Sequence, residues 1–355
     1  MTPRPGPRAA LAALGVLVLA VLLVPASPAA ADAPRPTDYR STVTGVAPPL
    51  PAGAEVRVIG GDSLLELSLP AGHTAVVADY PTSDEAEPVP YLRFDADGTV
   101  RRNALAVATT ANEARYGTAS TVPDPDAEPR WETVATNGTY AWHDHRIHWM
   151  SPRAPRAVDA DGRVDLGGED GTWSVPVTVD GRDTVITGQL VIAPAPSFAA
   201  WALLVVVALG VALLVGVRFG LRAAAAVGAG SAAGAVVVAT ATWRAVPPDA
   251  GASVIPVVVA VVALIAGLVA ALGPARVRLV AVAATAAALL GWGATRWTVL
   301  ARAVLPTTLA PGLDRAATAV AIGVGLALAA LLVKGPAPQR RAAPEGGRVT
   351  ASPSA

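Results

Sequence analysis

From residue 55 to residue 192 the chain alternates apolar and polar positions in short runs, each closed by Asp-Gly, Asn-Gly or proline, the pattern of half-buried strands joined by turns. The runs Glu55 to Ile59, Leu64 to Leu69, Thr74 to Asp79, Tyr91 to Phe94, Thr99 to Arg102, Trp131 to Ala135, Thr139 to Trp142, Trp173 to Val179 and Val185 to Ile192 are predicted strands. Asp97-Gly98, Asn137-Gly138 and Asp180-Gly181 predict hairpins, because these residues tolerate the positive φ that hairpin turns demand. Strands at this spacing with no long helical period predict an all-β domain over 32–196, a β-sandwich for which an Ig-like arrangement is one form. The Pro- and Asp-rich stretch from Ser120 to Arg130 reads equally as a long loop or a subdomain boundary.

After Pro194 and Pro196 the pattern changes to long apolar runs, Phe198 to Val217, Ala223 to Thr242, Ser253 to Leu272, Leu279 to Thr295 and Ala316 to Val333. Each approaches the roughly 20 residues a helix needs to cross a bilayer, which predicts an all-α membrane domain of five helices over 197–334. At the other end, Arg4 and Arg8 precede an apolar run from Leu11 to Val24, then Pro25 and Ala29-Ala30-Ala31. That order reads as a secretory signal over 1–31 cleaved after Ala31, with an uncleaved anchor as the alternative. Arg218 with Arg222, Arg276 with Arg278, and the tail residues Lys334, Arg340, Arg341 and Arg348 fall on one side of an alternating five-helix path. The positive-inside rule makes that side cytoplasmic, so the expected protein is multi-pass in the cell membrane, its β domain outside and its tail over 335–355 disordered in the cytoplasm. The stretch from Val299 to Leu313, with Pro306 and Pro311, is expected at the outer interface. The spans so drawn contain no ionisable residue, which argues against a pump or carrier.

Composition narrows the chemistry. The formal net charge is zero and the arginines are scattered, which leaves no electrostatic case for nucleic acid. Cysteine is absent, so any metal is held by imidazole, carboxylate or thioether. Of the four histidines three crowd into Trp142-His143-Asp144-His145-Arg146-Ile147-His148-Trp149-Met150, together with the only methionine besides Met1. In an extended strand His143 and His145 share a face about 6.6 Å apart, while His148 and Met150 face the other way, so one four-ligand site needs a bend between Asp144 and Ile147. Given that bend, three imidazoles and a thioether suit copper, with zinc compatible but less favoured by Met150. Affinity would then fall as pH drops below the ordinary histidine value of about 6.5. The metal-free alternative pairs Asp144 with Arg146, lets the histidines donate to carbonyls and leaves Trp142, Trp149 and Met150 as core; a pocket for another ligand is a third reading. His73, just before a strand, is a further candidate ligand or a surface histidine.

No catalytic constellation emerges. The spacing His143-x-His145-x-x-His148 coincides with the opening of the metallo-β-lactamase zinc motif, but Ile147 stands where that family has Asp, and no histidine follows His148. There is also no Gly-x-Ser-x-Gly nucleophile elbow. The expectation is a binding or accessory module and not an enzyme.

The segments Pro90-Tyr91-Leu92-Arg93-Phe94 with Gly98 and Asn103, Asn112-Glu113-Ala114-Arg115-Tyr116, Trp142 to Met150, and Trp173-Ser174-Val175-Pro176 with Gly188 resemble a family of uncharacterised actinobacterial membrane proteins with an exported β domain. The resemblance implies the same architecture and weight for the W-H-D-H-R-x-H-W-M string, and supplies no activity. More loosely, an exported β-sandwich followed by membrane helices is similar to the CopC and CopD copper-uptake fusions. The chain departs from these in exposing Asp32 rather than a histidine after cleavage, and in spans without metal-binding side chains. Two functions follow as expectations: copper binding through His143, His145, His148 and Met150, or a metal-free module that docks another membrane protein through Arg93, Asn103, Asn112, Glu113, Arg115 and Tyr116 with the tryptophans.

Overall fold

A computed structural model describes residues 33–81, 89–113, 115–116 and 127–334. The expected signal segment, the tail and most of the stretch from Ser120 to Arg130 lie outside the described residues. Among the described residues the first half of the chain forms two antiparallel sheets. The larger runs β1 (Tyr39–Ala47), β11 (Arg182–Ile192), β10 (Trp173–Val179), β4 (Ala75–Ala78), β5 (Pro90–Phe94), β6 (Val100–Asn103) and β7 (Trp131–Ala135), with β9 (Arg163–Val164) also paired to β11. The smaller is β2 (Glu55–Ile59), β3 (Leu64–Ser68) and β8 (Thr139–Trp142). Leu65, Leu67 and Trp142 of the smaller sheet share one buried cluster with Val77, Leu92, Phe94, Val175 and Ile186 of the larger. Each such side chain contributes roughly 1.5–3 kcal/mol by leaving water.

Alternation places these side chains. In β10, Trp173, Val175, Val177 and Val179 point inward and are buried. Pro176 is tolerated because β10 there has passed the end of β4, whose pairing begins at Val177. Gly188, opposite Trp173 in the register, leaves room for the indole, since a Cβ would stand 2.1 Å from its ring.

The hairpins at Asp97-Gly98 and Asp180-Gly181 form, the latter with φ of 49° and 73° at its two central residues, as a two-residue turn between twisted strands requires. Asn137-Gly138 does not close a hairpin. The strand before it pairs with β6 and the strand after it pairs with β3, so this turn carries the chain from one sheet to the other. β1 is not evident from pattern: Tyr39–Ala47 holds Ser, Thr and a bulge near Gly45, and becomes a strand by pairing with β11.

The second half is a bundle of five helices, α2 (Phe198–Phe219), α3 (Leu221–Arg244), α4 (Ile255–Leu272), α5 (Ala275–Thr295) and α6 (Pro311–Lys334), each long and apolar enough to cross a membrane. A short helix α1 (Val107–Ala111) belongs to the β domain. Close approach of α3 and α4 uses Gly267, where a Cβ would stand 2.9–3.1 Å from Ala229. In the Gly230-Ser231-Ala232-Ala233-Gly234 stretch it is Ser231 and Ala232 that are buried, while nothing approaches Gly230.

The β domain rests on the helix ends opposite those that carry Arg218, Arg222, Arg276 and Arg278. Thr37 and Val304 exchange backbone hydrogen bonds of 3.0 and 2.8 Å, and Asp38 accepts from Arg302 and from the Ala303 N–H, at 2.5 and 2.9 Å. Ile59, Leu64 and Ala141 pack with Val246, Ala250 and Ala252 of the α3–α4 connection. This explains why Leu64, Leu65, Glu66 and Leu67 are all buried where alternation predicts every second one: one face of β3 meets the domain core and the other the bundle.

α6 begins five residues before the apolar run and so takes in Asp314 and Arg315. Asp314 accepts two bonds from Arg296, 2.7 and 2.9 Å, and Arg315 donates to the carbonyls of Val299, Arg302 and Ala303 at 3.2, 2.7 and 2.9 Å. These bonds satisfy carbonyls of the irregular α5–α6 connection that no helix or strand partners.

Candidate functional site

The bend that a single site requires is present, and Asp144 causes it. β8 ends at Trp142, and a 3-10 turn over His145–Ile147 follows, capped by the Asp144 carboxylate, which accepts the Arg146 N–H at 3.0 Å. The same carboxylate accepts Arg146 Nε and Nη2 at 2.9 and 2.7 Å and the Trp142 indole N–H at 2.9 Å. Burial alone would raise this fully enclosed carboxyl, but the Arg146 guanidinium and these hydrogen bonds outweigh it and hold it below the usual carboxylate range. Ile147, fully buried, fastens the turn to the core.

The turn swings His148 round to His143 and His145. Ring centroids are 4.6 Å apart for His143 and His148, 5.3 Å for His143 and His145, and 5.4 Å for His145 and His148. One nitrogen from each ring lies within 4.8 Å of the other two. His143 and His148 are 2% and 1% exposed, and His145 is half-buried.

Hydrogen-bond chemistry fixes the tautomers. His143 Nδ1 lies 2.8 Å from the Ser63 carbonyl and His148 Nδ1 3.2 Å from the Trp149 carbonyl. A carbonyl only accepts, so each Nδ1 carries the proton and each Nε2 presents a lone pair. The two Nε2 atoms nevertheless face each other at 2.9 Å. A metal-free network must therefore either forgo a carbonyl bond or bury an imidazolium. Burial opposes the second option: with the neighbouring His145 and Arg115 it pushes His143 down to about 4, and with His143 and Arg115 it pushes His148 down to about 2. A cation between the two lone pairs removes the conflict.

Residues outside the string support it. Tyr80, unmarked in the sequence, accepts the His145 N–H at 2.7 Å, donates to Asn112 Oδ1 at 2.7 Å and stacks on the His145 ring at 5.8 Å. Asp79 beside it accepts the N–H groups of Val107 and Ala108 at 2.6 and 2.8 Å and so caps α1, whose other end is Asn112. Arg115 pairs with the buried Asp62, next to Ser63, with one contact of 3.2 Å. Asn103 is enclosed as well, donating to the Pro90 carbonyl and accepting from the N–H groups of Leu105 and Arg130. Asn112 and Arg115 thus brace the histidines from within. Arg93 lies over the Trp131 ring at 4.6 Å, and Tyr116 is 46% exposed. The Trp149 indole donates to the Arg153 carbonyl at 2.6 Å, and Met150 is 40% exposed, in contrast to the buried imidazoles. His73 stands apart, its Nδ1 2.8 Å from Asp180 at a hairpin turn.

His143 also forms part of the wall of a cavity of about 490 Å³ where the β domain meets the bundle. Ser63, Arg115, Tyr39 and Tyr116 line it from the β domain and Arg302 from the α5–α6 connection.

No protein-family model matches the chain, no curated protein matches its sequence, and no solved structure matches its fold.

Proposed function

We propose that the protein is a membrane-anchored, extracytoplasmic binding module whose ligand is a transition-metal ion, copper, held by His143, His145 and His148. The observation that carries this reading is the pair of Nε2 lone pairs 2.9 Å apart, each with its Nδ1 committed to a carbonyl. Imidazole donors suit copper(II) and zinc alike, and the soft thioether of Met150 beside them in sequence tips the donor set toward copper. One nitrogen from each ring lies within 4.8 Å of the other two, and ligands of one ion stand at most about 4.2 Å apart at bond lengths of about 2.0–2.1 Å, so completing a three-imidazole site asks the rings to close on one another. Met150 is the soft donor within reach in sequence, and its share would be greatest for copper(I). The layout also resembles that of the CopC and CopD fusions. Here the charged groups of the bundle lie near the helix ends, and Arg296, Asp314 and Arg315 are paired or capping carbonyls, which favours an accessory role over an ion path.

Copper(II) titration of the full-length protein in detergent tests the reading, because the β domain alone would expose the face of β3 that the bundle covers. Tight binding by the wild type and its loss in His143→Ala/His145→Ala is the expected result. Equal binding by the two would make the cluster structural and leave the docking-module reading in its place.

The arginine-bearing connections at the bundle end away from the β domain support a cytoplasmic position for that end. A reporter fused after Lys334 should be active only in the cytoplasm and one inserted near Ala127 only outside; the reverse result refutes this orientation.

A further inference from the structure

The three imidazoles are not held alike. His143 and His148 are buried, and each is fixed at its own Nδ1 by a carbonyl. His145 is half-buried, and the Tyr80 side chain meets it in two ways: its backbone N–H is bound by the Tyr80 hydroxyl at 2.7 Å, and its ring lies against the Tyr80 ring at an interplanar angle of 13°. Tyr80 is itself anchored. Its hydroxyl donates to Asn112 at 2.7 Å, the Arg146 guanidinium lies 5.1 Å from its ring centroid, and its own N–H is bound by Asp79 at 2.8 Å. Asp79 and Asn112 hold opposite ends of α1, so the phenol is mounted on a helix fixed at both ends rather than on a free loop.

We propose that Tyr80 is the positioning residue for His145 and thereby decides whether the ion is held by three imidazoles or by two. The inference rests on the metal reading above. A ligand's ring orientation is set by its outer partners, and losing one such partner typically costs tenfold to a hundredfold in metal affinity. Here the hydroxyl fixes the main chain at His145, and the ring face limits the swing through which its nitrogen closes on the His143 and His148 pair.

The test is a double-mutant cycle on the full-length protein with copper(II) as the probe. Tyr80→Phe keeps the ring and removes the hydroxyl's contacts with the His145 N–H, Asn112 and, at 3.4 Å, Asp144. It should lower copper(II) affinity by about tenfold to a hundredfold, and the nitrogen superhyperfine pattern in electron paramagnetic resonance should lose one nitrogen. His145→Ala should show the same loss, and adding Tyr80→Phe to it should cost nothing further, because Tyr80 then has nothing to position. Asn112→Ala, which leaves Tyr80 in place without its nearer acceptor, should move in the same direction by less and serves if Tyr80→Phe does not fold. Additive losses, or three nitrogens retained in both Tyr80→Phe and Asn112→Ala, overturn the proposal while leaving the metal reading intact. No copper on the wild type overturns both.

Discussion

Two buried polar clusters, one in each half of the molecule, use charge in opposite ways. At the end of the bundle, Arg296 Nη2 meets Asp314 and Arg315 meets three carbonyls, so opposite charges and donor-acceptor pairs hold a loop in shape, with the buried Arg296 Nε left without an acceptor. In the β domain, His143 and His148 set Nε2 against Nε2 at 2.9 Å with each Nδ1 against a carbonyl, while the Asp144 with Arg146 and Asp62 with Arg115 pairs beside them are matched. A cluster whose donors and acceptors cancel is scaffold. One whose ring nitrogens converge inside such a scaffold could hold a metal ion, the reading proposed above.

The contrast can be broken by mutation. Asp314→Asn leaves Arg296 buried without its counter-charge and should cost about 3–5 kcal/mol, whereas replacing both partners with apolar residues should cost much less. Chemical unfolding in detergent reads both values, and copper affinity should not move in either variant. A bundle indifferent to Asp314→Asn would mean that the pair is not scaffold.

Acid should act on the other cluster. Unfolded histidine titrates near 6.5, while folded His143 and His148 titrate at about 4 and about 2. Above pH 6.5 both states are neutral and nothing is lost. As pH falls, the unfolded chain takes up protons that the folded domain refuses, so stability should drop by about 1.4 kcal/mol per pH unit for each of the two, through about pH 4 for His143 and further for His148. Unfolding midpoints between pH 7 and pH 4 measure this slope, and His143→Ala/His148→Ala should flatten it. The same depressed values move the pH at which protons should compete with copper at His143 and His148 below the ordinary histidine value of about 6.5. Protons compete for these two nitrogens only in stronger acid, so binding through them should persist at pH 5.5.

The smallest effect is expected where the two halves meet. The Asp38 and Arg302 side chains are 23% and 51% exposed, so Arg302→Ala, which leaves the Asp38 bond to the Ala303 N–H in place, should cost no more than about 1 kcal/mol and lose its effect in high salt. A larger cost would show that this pair, rather than the packing around Leu64, holds the β domain on the bundle.

Local period made much of this molecule legible. Alternation marks β2, β7, β8 and β10 at their observed bounds, and apolar length marks five spans, because the burial of one face or of a whole helix is written into consecutive residues. The crowding of histidines between Trp142 and Met150 marks the string as a site by composition alone. Partners distant in sequence leave no such trace. That Asn137-Gly138 crosses between sheets, that Leu64 has an outer neighbour, and that α6 reaches back to Asp314 all follow from what packs alongside. The histidine site divides in the same way. Asp144 and Arg146 stand inside the string and were visible, but the Ser63 carbonyl that fixes His143 lies 80 residues away and the Tyr80 hydroxyl that fixes His145 lies 65 away. Which nitrogen carries a proton and which lone pair is left over depends on these contacts, and only folding the chain brings them together.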